Sequence, residues 1–163
     1  MAESALPKFS LEGRTALVTG AGRGIGQTIA LGLAEAGADI VAMSRSTTEL
    51  TAVADDVRAL GRDATSVVCD VTDTAAMQNA ISGLVKLDIL VNNAGTNIPE
   101  PFLEVKEESL DTLLALNVRA AFLVAQAAAN RMLKDTDRDE RGGAIVHISS
   151  QLGHVSLIDR SVY

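Results

Sequence analysis

The 163 residues suffice for one domain with a sizeable core and fall short of two ordinary ones. Apolar residues make up 47% of the chain and aromatic ones 2%, a globular composition whose core has to be built from Ala, Val, Leu and Ile. A net charge of −7 argues against nucleic acid and against an anionic membrane surface, because both reward a basic face.

The first thirteen residues mix Glu3, Pro7, Lys8 and Glu12 into their apolar positions and do not read as a secretory leader. Short β-branched runs then alternate with amphipathic stretches. Strands are predicted at 15–19, 39–43, 64–69, 87–91 and 144–148, and helices at 24–36, 48–60, 74–85 and 109–133. A loop carrying Pro99 and Pro101 precedes the last and longest helix. The charged segment 135–143 reads as a solvated, mobile loop. No run of eighteen apolar residues marks a membrane span. The single cysteine, Cys69, has no partner for an internal disulfide and points to a reducing cytoplasm.

Near-continuous apolar strands suit a parallel sheet covered on both faces, and repeated βα units give an α/β, doubly wound (Rossmann) fold with helices on both sides. The whole chain, 1–163, is expected to form one nucleotide-binding domain. Ligands of such sheets lie beyond the carboxyl ends of the strands, which is where the motifs of this sequence cluster.

Thr19-Gly20-Ala21-Gly22-Arg23-Gly24-Ile25-Gly26 joins the first strand to the first helix. Glycines there let the backbone turn sharply and approach a pyrophosphate, and the helix start offers free N–H groups and a positive dipole end. The spacing is neither G-x-G-x-x-G nor that of a Walker loop. An ordinary glycine-rich turn is the alternative. After strand two, where NAD-binding domains carry an acid for the ribose hydroxyls, the sequence reads Met43-Ser44-Arg45-Ser46. Arg45, with Arg23 from the glycine loop, would attract a 2′-phosphate that a carboxylate would repel. The alternative is that Arg45 is a surface residue opening helix two. Asp39 sits at the wrong end of its strand to replace the acid.

The loop resembles the T-G-x-x-x-G-x-G fingerprint of the short-chain dehydrogenase/reductase family, and further landmarks follow in order. Asp70-Val71 is similar to the family's adenine-contacting step. Asn92-Asn93-Ala94-Gly95 matches its N-N-A-G, so that Gly20, Gly22, Arg23, Ile25, Ser44, Arg45, Asp70, Val71, Asn93, Ala94 and Gly95 are the implied cofactor contacts. Asn117, Ser150 and Tyr163 match the catalytic Asn, Ser and Tyr, the last thirteen residues after the Ser. Singly, each has a plainer reading: a satisfied helix amide, a strand-end turn residue, a terminal residue, and for Asp70 a helix cap.

The resemblance implies hydride transfer between a nicotinamide, NADP(H) in preference to NAD, and a small carbonyl or alcohol substrate. In this scheme Tyr163 handles the proton, Ser150 holds the substrate oxygen and Asn117 supports a proton relay, with no metal. It implies a homodimer or homotetramer through the long helix. The family's Lys four residues after the Tyr, and two further strands, fall beyond residue 163, so the sequence reads as the N-terminal part of a longer reductase. The competing readings are a nucleotide-binding or assembly module without turnover, and an extended relative such as a sugar-nucleotide epimerase, against which the glycine spacing counts. Residues 96–102 and 151–155 are expected on the substrate side, with His154 a loop residue and His147 packed in strand five.

Overall fold

The computed structural model describes residues 9–155 and 157–162. Five parallel strands, β1 (Thr15–Thr19), β2 (Asp39–Ser44), β3 (Ala64–Val68), β4 (Ile89–Asn92) and β5 (Ala144–His147), lie in the order β3-β2-β1-β4-β5. The chain winds outward from β1 through β2 to β3, then crosses back to β4 and β5. The order therefore reverses between β1 and β4, and this is the doubly wound topology expected from the sequence.

The three inner strands are apolar without a break because each face of the sheet has its own helical layer. Along β1, Ala16 and Val18 face α1 (Gly24–Glu35) and α2 (Thr47–Ala59), packing with Ala30, Ala34, Leu50, Val53 and Val57. Leu17 faces the opposite layer and packs with Met77 and Ile81 of α3 (Thr74–Ser82) and Val124 and Ala128 of α5 (Ala121–Met132). Period-two alternation thus sorts a continuous apolar run into two cores. The rule fails at the edges: β3 is half exposed, and all four residues of β5 are exposed.

Helix starts follow local chemistry. The Ser46 hydroxyl accepts the Glu49 N–H at 3.3 Å to open α2, and Asp73 accepts the Ala76 N–H at 3.0 Å to open α3. α3 stops at Ser82, three residues short of its expected end, with Gly83 at the cap.

Two segments depart from the sequence reading. The long helix is not uniform: α4 (Glu107–Leu113) runs into a π-helical stretch, Leu114–Ala120, before α5. The continuous helical run Glu107–Met132 contains an 18-residue window of mean hydropathy 1.5 and passes the length and composition test for a membrane-crossing helix, although the sequence has no unbroken apolar run of that length. Here its buried face forms the second layer on the sheet, and Leu110, Leu114, Val118 and Phe122 make an exposed stripe at every fourth residue.

The charged segment 135–143 is docked rather than loose. A one-turn helix, α6 (Arg138–Arg141), aims two guanidiniums at Asp88, whose side chain is 1% exposed just before β4. Asp88 Oδ1 accepts from Arg141 at 2.7 Å, Arg138 at 3.3 Å and Arg14 at 3.5 Å, while Oδ2 accepts the Thr15 N–H at 2.9 Å. Arg138 also donates to the Leu87 carbonyl at 2.6 Å. One carboxylate thus ties together the starts of β1 and β4 and the approach to β5. Three residues apart on one turn, the two arginines share a face, so a segment that looks solvated by composition is held by its charges.

Candidate active site

A cleft of roughly 1240 Å³ opens at the carboxyl ends of the strands, at the β1/β4 switch point. All of the sequence-predicted cofactor positions line it, as do Asn117 and Ser150. Tyr163 lies outside the described residues.

The glycine loop is held by a network centred on Thr19, a fully buried residue. The Thr19 hydroxyl accepts the N–H groups of Asn93 and Ala94, both at 3.0 Å, and donates to Asn92 Oδ1 at 3.4 Å. Asn93 Nδ2 in turn donates to the Thr19 carbonyl at 2.9 Å, and Asn92 Nδ2 to the Ala121 carbonyl at 2.6 Å. The two asparagines therefore clamp the ends of β1 and β4 to each other and to α5. Gly20 sits at φ +64°, and a methyl group on it would lie 2.9 Å from Asn93 Nδ2 and 3.1 Å from the Ala94 Cα. Positive φ and close approach of the two loops both require glycine there. The sequence places Thr19 at the head of the glycine fingerprint without giving it a role, and the bonds of its hydroxyl supply one.

The start of α1 is built to meet an anion. Its N-cap, Arg23, makes no side-chain cap bond, and no acid stands in the first turn. First-turn N–H groups without a capping side chain, at the positive end of a helix dipole and on the wall of the cleft, suit a pyrophosphate.

On the adenosine side, Asp70 Oδ1 accepts from the Thr72 N–H at 2.9 Å and the Thr72 hydroxyl at 2.7 Å. These bonds, with Arg45 at 3.8 Å, hold its carboxyl below the usual range. A lowered carboxyl stabilises the folded state above the ordinary Asp range, and that contribution is lost as pH falls through the lowered value. The cap of α3 belongs to Asp73, so Asp70 is free of that task. Val71 is buried beside Cys69, whose thiol is pushed up first by burial and then by Asp73 and Asp70. Arg23 and Arg45 extend into solvent, at 86% and 79% exposure. The end of β2 has no acid, as read from the sequence, but Glu49 of α2 reaches the same wall of the cleft.

On the opposite side, Asn117 spends its whole amide on one residue: Oδ1 accepts the Thr96 N–H at 3.0 Å and Nδ2 donates to the Thr96 carbonyl at 2.8 Å. The π-helical stretch places Asn117 there, and the bonds fix the loop after β4. Ser150 caps a single 3-10 turn, Gln151–Gly153, its Oγ accepting the Leu152 N–H at 3.2 Å, and its own O–H meets no acceptor among the described residues. Thr96, Asn97 and Gly153 line the cleft, while Phe102 and His154 do not. His147 is exposed at the end of β5 and lines the cleft, 3.5 Å from Asn92 Nδ2, instead of packing inside the sheet.

The sequence model of the short chain dehydrogenase family matches residues 14–163. The chain belongs to this family. L-xylulose reductase from Mus musculus is 41% identical over 157 residues, 95% of this chain and 60% of that protein. A candidate 2-deoxy-D-gluconate 3-dehydrogenase from Agrobacterium tumefaciens, solved with bound NADP, superposes with a TM-score of 0.84 at 36% identity, covering 96% of this chain and 61% of that one. Carveol dehydrogenase from Mycobacterium avium, in complex with NAD, gives 0.86 at 27% identity, covering 93% and 60%. The chain therefore spans about 60% of the length of the short chain dehydrogenases it matches.

Proposed function

We propose that the protein carrying this chain is an NADP(H)-preferring oxidoreductase that interconverts a small carbonyl compound and its alcohol in a reducing cytoplasm. The observation that carries the reading is one cleft lined together by an uncapped helix start, the Asn93–Gly95 loop, two exposed arginines and Ser150, whose O–H meets no acceptor among the described residues. Bound there, a nicotinamide cofactor supplies or accepts the hydride.

The chain's own residues do the rest. The glycine loop and the first turn of α1 hold the pyrophosphate. Asp70 and Val71 border the adenine, and Arg23 and Arg45 take the 2′-phosphate. Asn93, Ala94 and Gly95 wall the dinucleotide along β4. The Ser150 O–H donates to the substrate oxygen and steadies the charge that develops on it. Tyr163, thirteen residues on, gives the proton in reduction and takes it in oxidation. Asn117 acts by locking Thr96 and with it the loop that borders the substrate. The relatives named for a ketose and sugar acids favour polyhydroxylated substrates, and Asn97 adds a polar group to that side of the cleft. The exposed stripe Leu110, Leu114, Val118 and Phe122 suits packing against a second copy of the chain.

NADPH oxidation against a panel of ketoses and dicarbonyls tests this reading. Ser150→Ala is expected to lower kcat by about a hundredfold, the scale of one lost oxyanion donor, with NADPH binding unchanged within about twofold. Turnover indifferent to the substitution, or no turnover on any carbonyl, would overturn it.

A further inference from the structure

Both arginines assigned to the 2′-phosphate already face a carboxylate: Arg45 lies 3.8 Å from Asp70, and Arg23 Nε lies 3.9 Å from Glu49 Oε1. The second pair is the unusual one. Ser46-Thr47-Thr48-Glu49 has the sequence of a capping box, in which the acid normally turns back to the N–H of the cap residue. Only half of that box forms. The Ser46 hydroxyl accepts from the Glu49 N–H, but the Ser46 N–H goes to the Ser44 hydroxyl at 3.3 Å. Relieved of capping, the Glu49 carboxylate extends over the glycine loop. A methyl group on Gly22 would lie 2.6 Å from Glu49 Oε2 and 2.9 Å from Ser44 Oγ. A carboxylate and the residue at the end of β2 therefore converge on one point of the cleft wall, next to Arg23.

We infer that Glu49 is a specificity-determining residue that opposes the 2′-phosphate and narrows the preference for NADP(H). The inference rests on the nicotinamide reading above. A 2′-phosphate carries about 1.5 to 2 negative charges near neutral pH, so it meets Glu49 as a like charge and must draw Arg23 away from it. A ribose bearing a plain 2′-hydroxyl meets no such repulsion and can donate to the carboxylate. Glu49 thus does from helix α2 what an acid at the end of β2 does elsewhere, and it stands against two arginines that pull the other way. The site is balanced between the two dinucleotides, with the arginines in the majority.

The test is a fluorescence titration of NADPH and NADH against the full-length protein and its Glu49→Gln and Glu49→Lys variants at low and high ionic strength. Glu49→Gln keeps the shape and removes the charge. The ratio of the NADH to the NADPH dissociation constant should rise about threefold, the scale of an exposed charge pair, and rise further in Glu49→Lys. The increase should shrink as salt screens it. A ratio that stays at the wild-type value or falls in Glu49→Gln would overturn the inference while leaving the nicotinamide reading standing. Failure of the wild-type protein to bind either dinucleotide would overturn that reading, and this inference with it.

Discussion

The two ends of this sheet handle charge in opposite ways. At the amino end, Asp88 is buried and saturated: three arginines and a backbone N–H bond its two oxygens, and Lys86 stands 3.8 Å away. At the carboxyl end, the arginines stand more than three-quarters exposed and the first turn of α1 has no capping side chain. Interactions that are complete stabilise a fold but have nothing left for a ligand. Those left open contribute little to stability and are what a ligand recognises. The sheet is closed at one end and available at the other.

Substitution of Asp88 should break the closed end most severely. Asp88→Ala removes the buried carboxylate that Arg138, Arg141, Arg14 and the Thr15 N–H share and is expected to cost about 3 to 5 kcal/mol in urea denaturation. NADPH affinity of the folded protein should stay within about twofold of wild type. A loss below about 1 kcal/mol would mean that α6 does not clasp the sheet.

Thr19 sharpens the comparison because it belongs to both categories, buried like Asp88 but at the open end. Thr19→Val strands two N–H groups and should cost about 1 to 3 kcal/mol. Unlike Asp88→Ala, it should also weaken NADPH binding, since the Asn93–Ala94 loop loses its anchor. Thr19→Ser keeps the hydroxyl and should restore most of both. Equal effects of Val and Ser would show that the hydroxyl is not the anchor.

The smallest expected effect concerns Cys69, which lines the cleft but is only 8% exposed. Burial and the neighbouring Asp73 and Asp70 raise its thiol, so the reactive thiolate is scarce at neutral pH. Alkylation by iodoacetamide should be slower than in the urea-unfolded protein. It should accelerate only at pH values above the ordinary thiol range. Native labelling as fast as unfolded labelling at neutral pH would contradict the burial and the acidic surroundings.

Much of the fold was legible because it rests on short-range patterns: apolar runs of strand length, helical periodicity and glycine punctuation. The glycine loop, Asn92–Gly95, Asn117 and Ser150 fell on strand ends and one helix, and the topology brings them to one cleft. What escaped depends on where a side chain points. A helical pattern does not record the wider turn at Leu114–Ala120 that carries Asn117 to Thr96. A run of charges looks solvated until Arg138 and Arg141 find a buried acid fifty residues away. Glu49 reads as a capping residue, and its other use appears only when the glycine loop lies beneath it.

The most direct test of the open end is a paired titration of the full-length protein with NADPH and NADH, repeated on Arg45→Ala. NADPH should bind more tightly to wild type. Arg45→Ala should weaken NADPH by about tenfold, as expected for a lost charge-assisted pair, leave NADH nearly unchanged, and alter stability by less than about 0.5 kcal/mol. Tighter binding of NADH to the wild-type protein, or equal losses for both dinucleotides, would contradict the assignment of the exposed arginines to a 2′-phosphate.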